Sequence, residues 1–181
     1  MVGRVSGGTV KILVLAIAAV SMMVLALVAA PQAGAAPPPV AGQQGSAAAL
    51  TAPGTAGLRW DLAIAYTLAS TEARASGVPM HITSGKRSRA QQAALWRQGL
   101  ATYGDPAVAR RWVLPPGEST HETGEAIDVG PRAGAAWLQR HGARYGLCRP
   151  FDNEWWHFER LTVPGLPCPP RVADASVRSR R

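Results

Sequence analysis

The chain is poor in several things that metal-binding and nucleic-acid-binding folds use freely. Its 181 residues include only 2 cysteines, 2 phenylalanines and 3 tyrosines, and charged residues make up 17%. Cys148 and Cys168 stand far apart, so the zinc sites built from CxxC pairs are excluded. There is no HExxH helix and no internal repeat. Lysine is scarce, and a formal net charge of +8 is carried almost wholly by arginine. Those arginines are scattered, with one local cluster at Arg171, Arg178, Arg180 and Arg181, and no helix-turn-helix, zinc-finger or RNP-like pattern accompanies them. Nucleic acid is therefore not an expected partner. The length suits one ordinary domain and not two.

The N-terminal region has a composition of its own. Arg4 and Lys11 precede the uncharged apolar run ILVLAIAAVSMMVLALVAA at 12–30, and Ala33-Gly34-Ala35 fits the small-x-small pattern of a secretory cleavage site. The run is also long enough to span a bilayer, so two readings stay open: residues 1–35 are a cleaved signal peptide, or a retained membrane anchor acting through 12–30. Both place the rest of the chain outside the cytoplasm, in the envelope or secreted. An oxidising compartment favours a disulfide between Cys148 and Cys168. On the chain-entropy view, closing that loop of about twenty residues stabilises the fold by roughly 3 kcal/mol. Residues 36–57, rich in Pro, Ala and Gly, read as a flexible linker. A domain over 58–168 and a basic tail over 169–181 follow.

Within the domain, apolar residues at Leu62, Ala65, Tyr66, Ala69 and Ala73 recur at helical spacing over 60–75. Met80 to Ser84 alternates as a short strand. Ser88-Arg89-Ala90-Gln91 is a capping-box signature for a helix to about Ala101, with Ala94, Leu95 and Leu100 expected inward. Asp105-Pro106 opens a short helix ending near Trp112. GEAIDVG (124–130) alternates as a strand, 132–144 is helical with Trp137 and Leu138 inward, LCRP is a loop, and WWHFER is a strand. Helices and short strands without a regular βαβ rhythm indicate a small α+β fold.

Four histidines are available. His81 and His141 have no other expected ligand near them. His121 and Asp128 sit in one segment with Gly124 between them, and His157 follows Glu154 by three residues. Two imidazoles and a carboxylate can form a zinc site with a fourth position left for water, and Glu154 could take that water's proton. The residues alone also allow a bland alternative: Asp128 caps a turn, Glu154 pairs with an arginine, and His157 is packed in a strand.

Three segments, taken together, favour the first reading. SGKRS (84–88), STHETGEAIDV (119–129) and EWWHFE (154–159) resemble, in order, the SGxRS, SxHxxGxAxD and ExWH motifs of the VanY/VanX-type zinc D-alanyl-D-alanine carboxypeptidases and dipeptidases. The resemblance implies a single small α+β domain of the Hedgehog/DD-peptidase type, with a short, mainly antiparallel sheet and flanking helices. It implies one Zn²⁺ held by His121, Asp128 and His157, with Glu154 as general base and then acid, and Arg87 stabilising the developing oxyanion. Ser119 and Ser88 would contact substrate, and strand alternation through WWHFER puts Trp155 on the ligand face, against substrate, and turns Trp156 and Phe158 into the core. The implied substrate is the D-Ala-D-Ala end of peptidoglycan stem peptides, cut by a monomer. An endopeptidase with the same zinc site, or a non-catalytic zinc-bearing wall-binding module, are the alternatives. Trp155 stands where proline is common and Lys86 where an aromatic is frequent, and both departures bear on substrate preference.

Overall fold

The computed structural model describes residues 51–178. The expected signal or anchor, and most of the expected linker, lie outside that range.

Helix α1 (Trp60–Ala75) buries each of the five positions that its apolar period picks out. It stops where Gly77 takes φ +73° and the Val78 amide donates to the Ala73 carbonyl at 2.9 Å. There follow β1 (His81–Ser84), α2 (Arg89–Tyr103), α3 (Pro106–Ala109), α4 (Thr120–Thr123), β2 (Ala126–Gly130), α5 (Arg132–His141), β3 (Leu147–Cys148) and β4 (His157–Arg160). Single 3-10 turns occupy Gly142–Tyr145 and Ala175–Val177. The four strands form one antiparallel sheet in the order β1-β2-β4-β3. Among the described residues no helix is long and apolar enough to cross a membrane.

The two central strands position the site. Ile127 pairs with Phe158, and Asp128 with His157. Because strand side chains alternate, Ile127, Val129 and Phe158 point to one face, while Asp128, His157 and Glu159 point to the other. The first face joins Leu62, Tyr66, Trp137 and Leu138 in the main core. Each fully buried large side chain there contributes about 1.5–3 kcal/mol. The second face carries the polar groups. All five residues of β2 are buried, not every other one, because α4 and the loop bearing Arg87 cover the polar face.

Several expectations need correction. Helix α2 has its capping box at Ser88 and Gln91, but it does not bury Ala94 or Leu95, and Leu100 is only half-buried. Gln92 and Gly99 are inward instead. The Gln92 amide donates to the Leu114 carbonyl at 2.7 Å, and a Cβ on Gly99 would stand 2.5 Å from Val113. A polar anchor and a close approach set this helix's orientation, not an apolar stripe. Helix α3 ends at Ala109, short of Trp112. Leu147 and Cys148, expected in a loop, form the edge strand β3. Strand β4 begins only at His157, since Trp155 and Trp156 lie in a turn.

Chain on either side of 58–168 also packs against the domain. Residues 51–57, assigned above to the linker, lie against the core: Ala52 is buried in it, and its amide donates to Thr67 Oγ1 at 2.9 Å. At the other end, Cys148 and Cys168 form a disulfide with their Cα atoms 5.7 Å apart. Val172, in the expected tail, pairs with Phe151 in a parallel bridge.

Candidate metal centre

His121 arrives on α4, a single helical turn. The turn ends at Gly124, with φ +74°, where a Cβ would stand 2.6 Å from the Gly57 carbonyl oxygen. A glycine is required there to bring α4 directly onto β2. The pairing of β2 with β4 sets Asp128 beside His157. Three ligand atoms then converge. His121 Nε2 is 3.3 Å from both Asp128 Oδ1 and His157 Nδ1, and His157 Nδ1 is 3.1 Å from Asp128 Oδ1. All three residues are buried.

The far side of each imidazole fixes what the near side offers. His121 Nδ1 donates to the Gly85 carbonyl at 2.8 Å, and His157 Nε2 donates to Glu159 Oε1 at 2.9 Å. With a proton on each outer nitrogen, two lone pairs and a carboxylate oxygen face one another with no hydrogen among them. Such a donor set fits a cation, and its N₂O composition with an open side suits a catalytic Zn²⁺. Without a cation a second proton takes its place on His157: burial opposes that charge, but hydrogen bonds to Asp128 and Glu159 outweigh it and raise the pKa. Burial would also raise the Asp128 carboxyl, yet hydrogen bonds from the two histidines hold it well below the ordinary range. Both directions show a pocket that favours positive charge at its centre.

Glu154 stands just outside the three. A turn closed by the His157 amide on the Glu154 carbonyl folds the carboxylate back, so that Oε2 lies 3.6 Å from His157 Nδ1. Burial, helped by the charges of Asp128 and Glu159, pushes its carboxyl up to about 7. A carboxylate tuned to that value can accept and return a proton near neutral pH. Arg87 closes another side: Nη2 donates to Asp128 Oδ2 at 2.7 Å and Nε to Ser84 Oγ at 2.9 Å. Its guanidinium therefore holds the carboxylate oxygen that is turned away from the centre, while Oδ1 faces the imidazoles.

The expected substrate contacts divide differently. Ser119 is buried in the wall of the cleft above the metal position. Ser88 is exposed and caps α2, accepting from the Gln91 amide at 3.2 Å. Trp155 packs against the core, with Arg132 over its ring at 5.1 Å, whereas Trp156 lines the cleft. The expectation had these two tryptophans reversed, because strand alternation was carried back through residues that form a turn. His81 is exposed and His141 rests against Trp137, both apart from the centre. Sequence reading missed Thr120, Glu159, Trp112 and Arg178. Glu159 was within reach, since it is two residues beyond His157 on the same strand and hence on the same face.

The architecture and the donor set are those of a metallopeptidase. Residues 56–160 match the VanY family, described as D-alanyl-D-alanine carboxypeptidase, and the chain belongs to that family. Solved structures agree. A vancomycin resistance D,D-pentapeptidase VanY variant from the VanB-type cassette, in complex with Zn(II), is 25% identical over 56% of this chain and 71% of its own, with a TM-score of 0.53. VanYB in complex with D-alanine-D-alanine shares the fold at 24% identity and a TM-score of 0.53, covering 56% of this chain and 70% of its own. The LD-carboxypeptidase LdcB is 25% identical with a TM-score of 0.50, over 56% of this chain and 58% of its own. No curated protein matches the chain at a comparable level.

Proposed function

We propose that this chain is an exported zinc peptidase that hydrolyses the D-Ala-D-Ala terminus of peptidoglycan stem peptides. The observation that supports it most is the convergence of two imidazole lone pairs and one carboxylate oxygen beside a second carboxylate of raised pKa. His121, Asp128 and His157 would hold the Zn²⁺. When bound, such an ion polarises a carbonyl and makes water acidic enough to attack near neutral pH.

The remaining work falls to the side chains. Glu154 takes a proton from the attacking water at its carboxylate oxygen and delivers it to the amine nitrogen as the peptide C–N bond breaks. Arg87 fixes Asp128 and supplies a permanent positive charge at the wall where the carbonyl oxygen becomes negative. Ser119 offers a buried hydroxyl to the peptide, and Trp112 and Trp156 shape an apolar wall beside it. The apolar run at 12–30 and the Cys148–Cys168 bridge support an extracytoplasmic setting, which is where this substrate lies.

Likeness to LdcB at the same identity as VanY supports a second reading, in which the bond cut joins an L to a D residue. The two are separated by offering a stem pentapeptide ending in D-Ala-D-Ala and a tetrapeptide ending in one D-Ala, and measuring free D-alanine with and without chelator. Release from the pentapeptide that stops with chelator is the expected result. Release from the tetrapeptide alone selects the second reading, and fragments without free D-alanine select an endopeptidase. No hydrolysis of any of these, with zinc bound, would leave a wall-binding module.

A further inference from the structure

The chain beyond the disulfide reaches the wall of the cleft at Arg178. The disulfide returns the chain at Cys168 to the edge strand at Cys148, which lies directly across from Glu159 in the sheet. Beyond it, residues 172–178 run back along the domain as a strap. Val172 pairs with Phe151, Arg111 Nε donates to Asp174 Oδ2 at 2.8 Å, and Ala175 is buried with Phe151 and Leu114. These anchors bring Arg178 over the Phe151 ring at 5.0 Å and into the wall of the cleft. There its Nη2 donates to Glu159 Oε2 at 2.5 Å, while Thr120 Oγ1 donates to Glu159 Oε1 at 2.9 Å. That same Oε1 accepts from His157 Nε2. The strap lies wholly beyond the stretch 56–160 that matches the family.

We propose that Arg178 is a positioning residue for this metal centre. By clamping Glu159 it holds the His157 ring with Nε2–H on the carboxylate and Nδ1 turned to Asp128 and His121. An imidazole can otherwise turn over about its own bond and present the wrong nitrogen. Glu159 prevents this only while its own carboxylate is fixed, and it is 3% exposed, so no solvent shell can substitute for the guanidinium. The inference rests on the zinc-site reading above and is independent of which peptide bond is cut.

The test is Zn²⁺ affinity, measured on the full chain by competition with a chromophoric chelator, with no peptide present. Outer partners of ligating histidines are typically worth about 10–100-fold in metal affinity or activity. Arg178→Ala should therefore weaken Zn²⁺ binding by about tenfold or more, lower kcat in proportion, and leave KM nearly unchanged. Arg178→Lys, which keeps the charge, should recover much of that loss. Glu159→Gln should weaken binding as well, and the double variant should lose less than the sum of the two in free energy, because both act through one hydrogen bond. Near-UV circular dichroism of the metal-free proteins checks that the fold is kept, and Arg178→Gln gives the same readout should the alanine variant not fold. Wild-type Zn²⁺ affinity in Arg178→Ala or Arg178→Gln overturns the proposal, as does full additivity with Glu159→Gln. If those variants lose Zn²⁺ as expected while the wild type cleaves no stem peptide, the proposal stands and the functional reading falls.

Discussion

Consider replacing Glu154 by glutamine. The side chain keeps its volume, and its surroundings tolerate an amide, since the residue is anchored by the backbone turn to His157. Its Oε2 lies 3.6 Å from His157 Nδ1 but is not among the three atoms that converge on the metal position. Metal content should therefore stay at about one Zn²⁺ per chain. What the amide cannot do is accept a proton, and a positioned general base is worth about 10²–10⁴-fold in rate. That range corresponds to about 3–5 kcal/mol on the barrier. The loss should fall on kcat, with KM for the stem peptide changed less than severalfold, because the cleft walls are untouched. The assay is stopped-time release of D-alanine from a pentapeptide, paired with metal analysis of the same sample. A variant that retains a tenth or more of wild-type kcat would refute the assignment of the base. One that loses its zinc would show Glu154 to be a ligand, contrary to the geometry.

Other expectations test the placement of individual groups. Asp128→Ala should abolish stable Zn²⁺ binding. In metal-free protein it should also lower stability by about 3–5 kcal/mol, because Arg87 is left partly buried without its carboxylate; urea unfolding in the presence of chelator reads this, and unchanged stability would sink the argument. Ser88→Ala should cost about 1 kcal/mol through loss of the α2 cap, with kcat and KM for the stem peptide unchanged. A raised KM would instead return Ser88 to the substrate. Trp156→Leu should raise KM more than it lowers stability, and Trp155→Leu should do the reverse, since the former lines the cleft and the latter packs on the core. Steady-state kinetics and thermal melts of the pair decide it.

The parts of the fold that a local pattern can encode were legible. Apolar spacing in 60–75 marked both the limits and the buried face of α1, and the Ser88 box marked the start of α2. The burial of α2 was not legible, because it depends on Gln92 finding a carbonyl and Gly99 admitting Val113, both contacts with residues far along the chain. At the site, the motif segments contained every converging ligand, and strand register then brought Asp128 and His157 together. The tryptophan pair misled for a simple reason. A period of two has meaning only inside a strand, and the strand starts at His157. Arg178 was beyond any local reading, since nothing in the sequence of the tail states where a disulfide will send it.

The two strand faces explain why so small a domain can hold the centre rigidly. Ile127 and Phe158, fully buried on one side, fix the register that sets Asp128 against His157 on the other. A one-residue slip would turn the ligands into the core and the core residues into the cleft, so stability and metal geometry are enforced by the same pairing. That pairing fixes where the His157 backbone lies but not which ring nitrogen faces the metal. The second choice needs a carboxylate on the same face, and Glu159 supplies it two residues later. Since the carboxylate is itself buried, it needs a cation, and β4 has none to offer on that face. The chain beyond the disulfide provides one. The bridge between Cys148 and Cys168 therefore has a use beyond closing a loop: it starts the strap beside the very strand whose side chain the strap must reach.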